Sequence, residues 1–162
     1  MEVEEIGDAE CEAIRNRWTE WIVSELQDAG GNRLNRLNDQ LHLLTLPIWN
    51  RSEADRDVVE NLAFHEHADI RFIAQITYVF DLREPAVNIE LLVKNPSWEQ
   101  AGALPLAIPP LVTWMLYTFR TTVLRVDCAL PGALSAYVAA GFQEIDPNNQ
   151  NNGCHSLVLR SK

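Results

Sequence analysis

Two apolar runs separated by the tetrapeptide REPA constrain this chain more than anything else in it. IAQITYVFDL, beginning at Ile73, and VNIELLVKN, beginning at Val87, are rich in β-branched and aromatic side chains. Such side chains fit a pleated surface better than a helix, so the pair predicts an antiparallel hairpin of strands over 75–82 and 87–94. The segments beyond the hairpin fix the rest of the sheet. After Asn95-Pro96 an uncharged loop leads into PPLVTWMLYTF, apolar on every side, and then into TTVLRVDCA, a further strand over 123–129. A strand joined to the next through a helix runs parallel to it, because only a crossover returns the chain to the same end of the sheet. An α/β fold is therefore expected, with a mixed central sheet and helices on both faces. Trp114 and Leu116, on the all-apolar helix, are expected to be largely buried in it.

The remaining segments are read from their periods. Ile14, Trp18, Trp21, Ile22 and Leu26 follow helical spacing, and Gly30-Gly31 marks the stop. Leu34, Leu37 and Leu41 continue at helical steps, but LHLLTLPIW is continuously apolar, which leaves helix and strand both open there. Ser52 with Asp55 resembles a cap and an acidic first turn, and Val58, Val59, Leu62 and Ala63 then predict one apolar side of a second helix that frays near His67. GALSAYVAAGF reads as a helix closed by a glycine, QEID as a short strand, and HSLVLR as a last strand beyond the polar turn DPNNQNNG. The expected organisation is one domain over 1–162, mainly helical over 1–69 and sheet-bearing over 70–160. Gln100 to Phe119 is uncharged and of membrane-spanning length, yet Pro105, Pro109 and Pro110 predict that its first half is loop.

Charge narrows the partners. Among 162 residues, 13 Lys+Arg against 23 Asp+Glu give a formal net charge of -10, which repels nucleic acid and anionic membranes alike. Cys11, Cys128 and Cys154 are odd in number and form no ligand pattern, so small reduced thiols are expected. With the acidic N-terminus MEVEEIGDAE, which lacks a signal-type apolar stretch, they point to a cytoplasmic protein. No metal site is expected. His65-Glu66-His67 lacks the spacing that puts two imidazoles on one helix face. Cys154 and His155 should alternate to opposite faces of a strand, which argues against a nucleophile–base pair, and His42 reads as a surface residue. Glu90, between Ile89 and Leu91 on the hairpin strand, is a carboxylate that burial could tune for proton transfer.

Ala133-Leu134-Ser135-Ala136-Tyr137-Val138-Ala139-Ala140-Gly141-Phe142, preceded by the strand VLRVDCA and followed by QEID, resembles the A-I-x-L-Y-x-x-x-G-F helix of the GNAT superfamily, the acyl-CoA-dependent N-acyltransferases. The separation between Val93 and Tyr137 is similar as well, and the resemblance covers residues 70–160. It implies transfer of an acyl group from acetyl-CoA or another acyl-CoA to an amine. Tyr137 would then protonate the departing thiolate, and Glu90 would take the proton of the amine. The resemblance places Leu92 and Val93 along the thioester, and Gln100, Ala101, Gly102 and Ala103 in the loop that holds the pyrophosphate. That loop departs from the family's Q/R-x-x-G-x-G/A, the nearest registers being Glu99-x-x-Gly102-x-Leu104 and Gln100-x-x-Ala103-x-Pro105. Glu99 adds a negative charge, Pro105 removes a donor, and Leu130 replaces an Asn that often precedes the tyrosine helix. A second reading therefore stays open, a non-catalytic GNAT-fold interaction module with a degenerate CoA site, for which Trp49 and Trp98 would supply exposed aromatics. The partners are accordingly an acyl-CoA with an amine acceptor, or a protein, and a homodimer is also open. The acidic balance favours a cationic acceptor such as a polyamine, an aminoglycoside or a basic peptide.

Overall fold

The hairpin forms where the β-branched residues are. In the computed structural model, which describes residues 1–49, 58–79, 84–145 and 155–161, β3 (Asp69–Val79) pairs antiparallel with β4 (Ala86–Lys94). β5 (Val123–Ala129) lies parallel to β4, as the intervening helix requires. β1 (Glu2–Ile6), β2 (Val58–Glu66), β6 (Gln143–Glu144) and β7 (His155–Arg160) complete a mixed sheet of order β1-β2-β3-β4-β5-β7-β6. Residues 80–82, assigned to the first hairpin strand, lie outside the described ones, as do Ser52 with Asp55, the turn at 146–153, and Cys154.

Helices cover both faces, and the strands sort their side chains between them. α1 (Asp8–Leu26) and α2 (Gly31–Leu44) bury Ile14, Trp18, Ile22 and Leu37 against Ala63, Ile73, Leu91 and Val93. α3 (Leu104–Phe119) and α4 (Pro131–Ala139) cover the opposite side, over Leu62, Phe64, Phe72, Ala74, Val87 and Ile89. This two-sided burial explains why β2 imitates a helix in sequence. Leu62, Ala63 and Phe64 are all buried, so no polar residue among them marks the period of two, and apolar residues at consecutive positions satisfy a helical reading equally well. The helix expected over Val58–Ala63 is thus a strand, paired Leu62 to Ala74 and Phe64 to Phe72. β1 has no counterpart among the expected elements, since EVEEI offers little apolar pattern.

Prolines and aromatics bring further corrections. α3 begins at Leu104 instead of after the prolines: Pro105 sits in its first turn, where a missing N–H costs nothing, and Pro109 and Pro110 lie inside it. The carbonyls those two rings leave unpaired belong to Pro105 and Leu106, both exposed, so water can serve them. Ala107, Ile108, Leu111 and Met115 form its buried side, whereas Trp114 and Leu116 are only partly buried. Trp49 and Trp98 are not exposed either. Trp49 is buried in a short 3-10 turn (Pro47–Trp49) with its indole N–H donating to the Leu43 carbonyl at 2.7 Å, and Trp98 packs edge-on to Phe72. Cys11 is a buried free thiol, while Cys128 is exposed on β5 and disulfide-bonded, against the expectation of reduced cysteines. Among the described residues no helix is long and apolar enough to cross a membrane.

Candidate active site

A sheet normally closes the gap between neighbouring strands along their whole length, and here it does not. β4 and β5 pair only at Val87–Leu124, Asn88–Arg125 and Ile89–Val126. Past that point both strands carry extra residues. On β4, Ile89 faces Ile76 and Leu91 faces Gln75, so Glu90 is a bulge. On β5, Val126 faces Leu157 and Ala129 faces His155, so Asp127 and Cys128 together oppose Ser156. Bulges bend a strand and increase its twist, and two of them at one place open a split at the carboxyl ends of the parallel pair, where open α/β sheets bind their ligands.

The β4 bulge also decides which side chain meets which face. Val87 and Ile89 belong to the core under α3 and α4, but Leu91 and Val93 belong to the core under α1 and α2. Asn88 lies opposite Thr77, whose hydroxyl donates to Glu90 Oε1 at 2.6 Å, and Asn88 Nδ2 donates to Asp127 Oδ2 at 3.5 Å. Thr77, Asn88, Glu90 and Asp127 therefore share the α2 side of the sheet. Tyr137 is on the other side, in the core with Val87 and Ile89.

A cavity of about 320 Å³ lies at the split and takes its lining from both sides. His42, Leu43, Leu46 and Ile48 wall it on the α2 side, Glu90, Leu92 and Asp127 line its middle, and Ala133 and Tyr137 close it on the α4 side. Tyr137 is only 4% exposed, its ring edge-on to Phe142 with centroids 5.4 Å apart. Its hydroxyl takes no partner among the described residues, and burial pushes the phenol well above its ordinary pKa, so it stays protonated. The helix ends as its sequence demands: Gly141 has φ +104°, and Phe142 N–H returns to the Tyr137 carbonyl at 3.1 Å.

A larger cavity, about 670 Å³, lies at the N-terminus of α3 and is lined by Gln100, Ala101, Gly102 and Ala103. Gly102, at φ +61°, followed by Ala103 in the right-handed region, turns successive amides toward one side. The N–H groups from Glu99 to Ala103 donate to no acceptor among the described residues. Arg33 and Arg36 of α2 and Lys94 of β4 line the same cavity. Burial, and then the nearby Arg36, pull the Lys94 pKa down, while Lys94 Nζ reaches the Gln100 carbonyl at 3.4 Å. Arg33 is paired with Glu25 at 2.7 Å. Glu99 does line this cavity, but three cations oppose it, and Pro105 stands after the row of donors. Helix N-terminus, free amides and cations together suit a pyrophosphate.

Of the residues singled out in the sequence, Tyr137, Glu90 and Leu92 meet at the split and Gln100–Ala103 meet at the larger cavity. Val93 does not join them: its side chain is buried under α1 and α2, off both cavities. His65 and His67 lie on β2 and the turn after it, with His65 paired to Glu4 at 2.9 Å, and no metal-binding cluster occurs among the described residues. His155 is bonded to Glu144, and His42, read as a surface residue, lines the smaller cavity. Sequence reasoning missed Arg33, Arg36, Lys94, Asn88 and Asp127. Only the Arg33–Arg36 pair left a signal, its three-residue step placing both on one helix side.

This is the GNAT fold, and solved structures of several N-acetyltransferases resemble the chain. The N-acetyltransferase PseH of Campylobacter jejuni superposes with a TM-score of 0.56 at 11% identity, over 99% of this chain and 98% of that one, and its complex with acetyl coenzyme A does so at 0.55. A chimera of spermidine N-acetyltransferase SpeG from Vibrio cholerae and hSSAT gives 0.61 at 11% identity, over 99% and 96% of the two chains. The ribosomal-protein-S5-alanine acetyltransferase of Vibrio fischeri gives 0.60 at 10%, over 99% and 92%. At these identities the likeness is one of fold. No family model and no curated protein sequence matches the chain.

Proposed function

We propose that the protein is an N-acyltransferase that moves an acyl group, acetyl first among the candidates, from acyl-CoA to an amine. The observation that carries this reading is the split itself, a cavity lined from both sides of the sheet with a protonated phenol on one and a carboxylate on the other. Acyl-CoA supplies, when bound, a thioester whose carbonyl carbon an amine attacks and whose sulfur leaves. The amides of Gln100, Ala101, Gly102 and Ala103, with Arg36 and Lys94, hold the pyrophosphate. Backbone groups of β4 at Leu92 and Val93, on the edge that β5 has left, orient the carbonyl. Glu90 accepts the proton of the amine from the α2 side. Tyr137 gives its phenol proton to the departing sulfur from the α4 side. The net charge of -10 favours an acceptor that arrives as a cation.

Calorimetric titration with acetyl-CoA tests the reading. Saturable binding is expected, weakened in Arg36→Ala, together with acetylation of at least one amine in a panel of alkylamines, polyamines and peptides. Absence of binding would remove the acyltransferase reading and leave the interaction module.

A further inference from the structure

Acyl transfer to an amine that arrives as a cation makes a proton demand that Glu90 and Tyr137 do not meet by themselves. An ammonium sheds two protons from its nitrogen before the amide is complete, one to free the lone pair that attacks the thioester and one after the attack, while the departing sulfur takes up only one. Glu90 receives one of the two and Tyr137 supplies the sulfur, so a further acceptor is needed, and it must hand its proton on to water. The lining of the smaller cavity leaves one candidate. Its ionisable residues are His42, Glu90, Asp127, Cys128 and Tyr137. Glu90 takes the Thr77 hydroxyl at 2.6 Å, Asp127 takes Asn88 Nδ2 at 3.5 Å, Cys128 is disulfide-bonded, and burial keeps Tyr137 protonated. The His42 imidazole makes no hydrogen bond or ion pair among the described residues. It stands in the last turn of α2, exposed, so it meets both the cavity and bulk water. Imidazole is also the side chain that both takes up and releases a proton near neutral pH.

Resting on the acyltransferase reading, we infer that His42 is a further catalytic base of the transfer, the group that makes the bound ammonium a nucleophile. An imidazole nitrogen takes the first proton, the electron pair of the broken N–H bond becomes the lone pair that attacks the thioester carbon, and the imidazolium gives its proton to water. Once the C–N bond has formed, Glu90 takes the second proton from nitrogen. As the C–S bond breaks, Tyr137 gives its proton to sulfur and regains one from Glu90, which lines the same cavity. Each transfer thus releases one proton to solvent, and it leaves through His42.

The test compares ethylamine, a cation at pH 7, with 2,2,2-trifluoroethylamine, a close steric match that its fluorines keep neutral there, each acetylated from acetyl-CoA by the whole protein. Only ethylamine has the extra proton to lose in the cavity. The ratio of kcat for ethylamine to kcat for trifluoroethylamine should therefore fall about 10²-fold in His42→Gln, the lower end of what a positioned base contributes. Imidazole added to the buffer should raise the ratio again in His42→Ala, because the exposed position leaves room for the free base. An unchanged ratio, or equal slowing of both amines without rescue, overturns the assignment of His42 and leaves acyl transfer standing. If the parent protein acetylates neither amine the inference fails, and the separate acetyl-CoA titration with the wider amine panel then decides whether acyl transfer falls with it.

Discussion

Tyr137 and Cys11 both hold an ionisable group away from water, and the two burials lead to different measurements. The Tyr137 hydroxyl lacks a partner among the described residues, so Tyr137→Phe keeps the ring against Phe142 and should alter stability by no more than about 1 kcal/mol. If the hydroxyl is the acid, turnover should nonetheless fall by about 10²–10⁴-fold in single-turnover assays with acetyl-CoA. Cys11 bears on pH. Burial pushes its thiol from 9.0 up to about 11, with Arg15 opposing the rise. The unfolded chain therefore ionises first as pH increases, so the stability tied to the neutral thiol is intact below pH 9 and is lost as pH climbs toward 11. Urea midpoints measured across that range should fall less steeply in Cys11→Ala than in the parent protein.

Among the elements, α3 best separates apolar composition from burial. Its sequence is apolar on all sides, yet Met115 is fully enclosed while Trp114 remains partly accessible and Tyr117 is 84% exposed. Met115→Ala should accordingly cost about 2–5 kcal/mol, and Trp114→Ala less than that despite its larger side chain, as equilibrium denaturation would show. The same contrast explains what was legible. The hairpin, α1, the crossover strand and the glycine-closed helix each combine a clear period with a clear stop. β2 lost its period because both its faces are covered, and α3 kept helical geometry through prolines whose freed carbonyls face water. Tyr137, Glu90 and the loop at Gln100–Ala103 could be found because a motif or a strand position marks them. Arg36, Lys94, Asn88 and Asp127 could not, because they come from three elements that the fold alone brings together.

At the scale of the whole molecule, two electrostatic effects of opposite sign act on any anionic ligand. The net charge of -10 repels it from a distance, while Arg33, Arg36 and Lys94 attract it at close range. Removing one of the close cations should expose the repulsion. Arg36→Ala is expected to weaken acetyl-CoA binding about tenfold at low ionic strength. That gap should narrow as salt is added, since screening acts on the cation's contribution and on the background field together. A gap that stays constant with salt would mean that Arg36 acts through packing.

β4 occupies the centre of the sheet but is paired on both sides only as far as Ile89. From Glu90 onward it has an interior position and the chemistry of a rim, with main-chain groups turned toward a gap that only solvent or a visiting molecule can fill. Deuterium uptake would register this as an anomaly, a protected amide ladder in the first half of the strand giving way to one in which the alternate amides turned away from β3 label rapidly in the middle of the protein. A guest lodged between β4 and β5 would act as a missing rung. Its arrival would be read most sharply as slowed labelling of those amides within Leu91–Lys94 that β3 does not already hold, with little change along β2, whose neighbours already flank it on both sides.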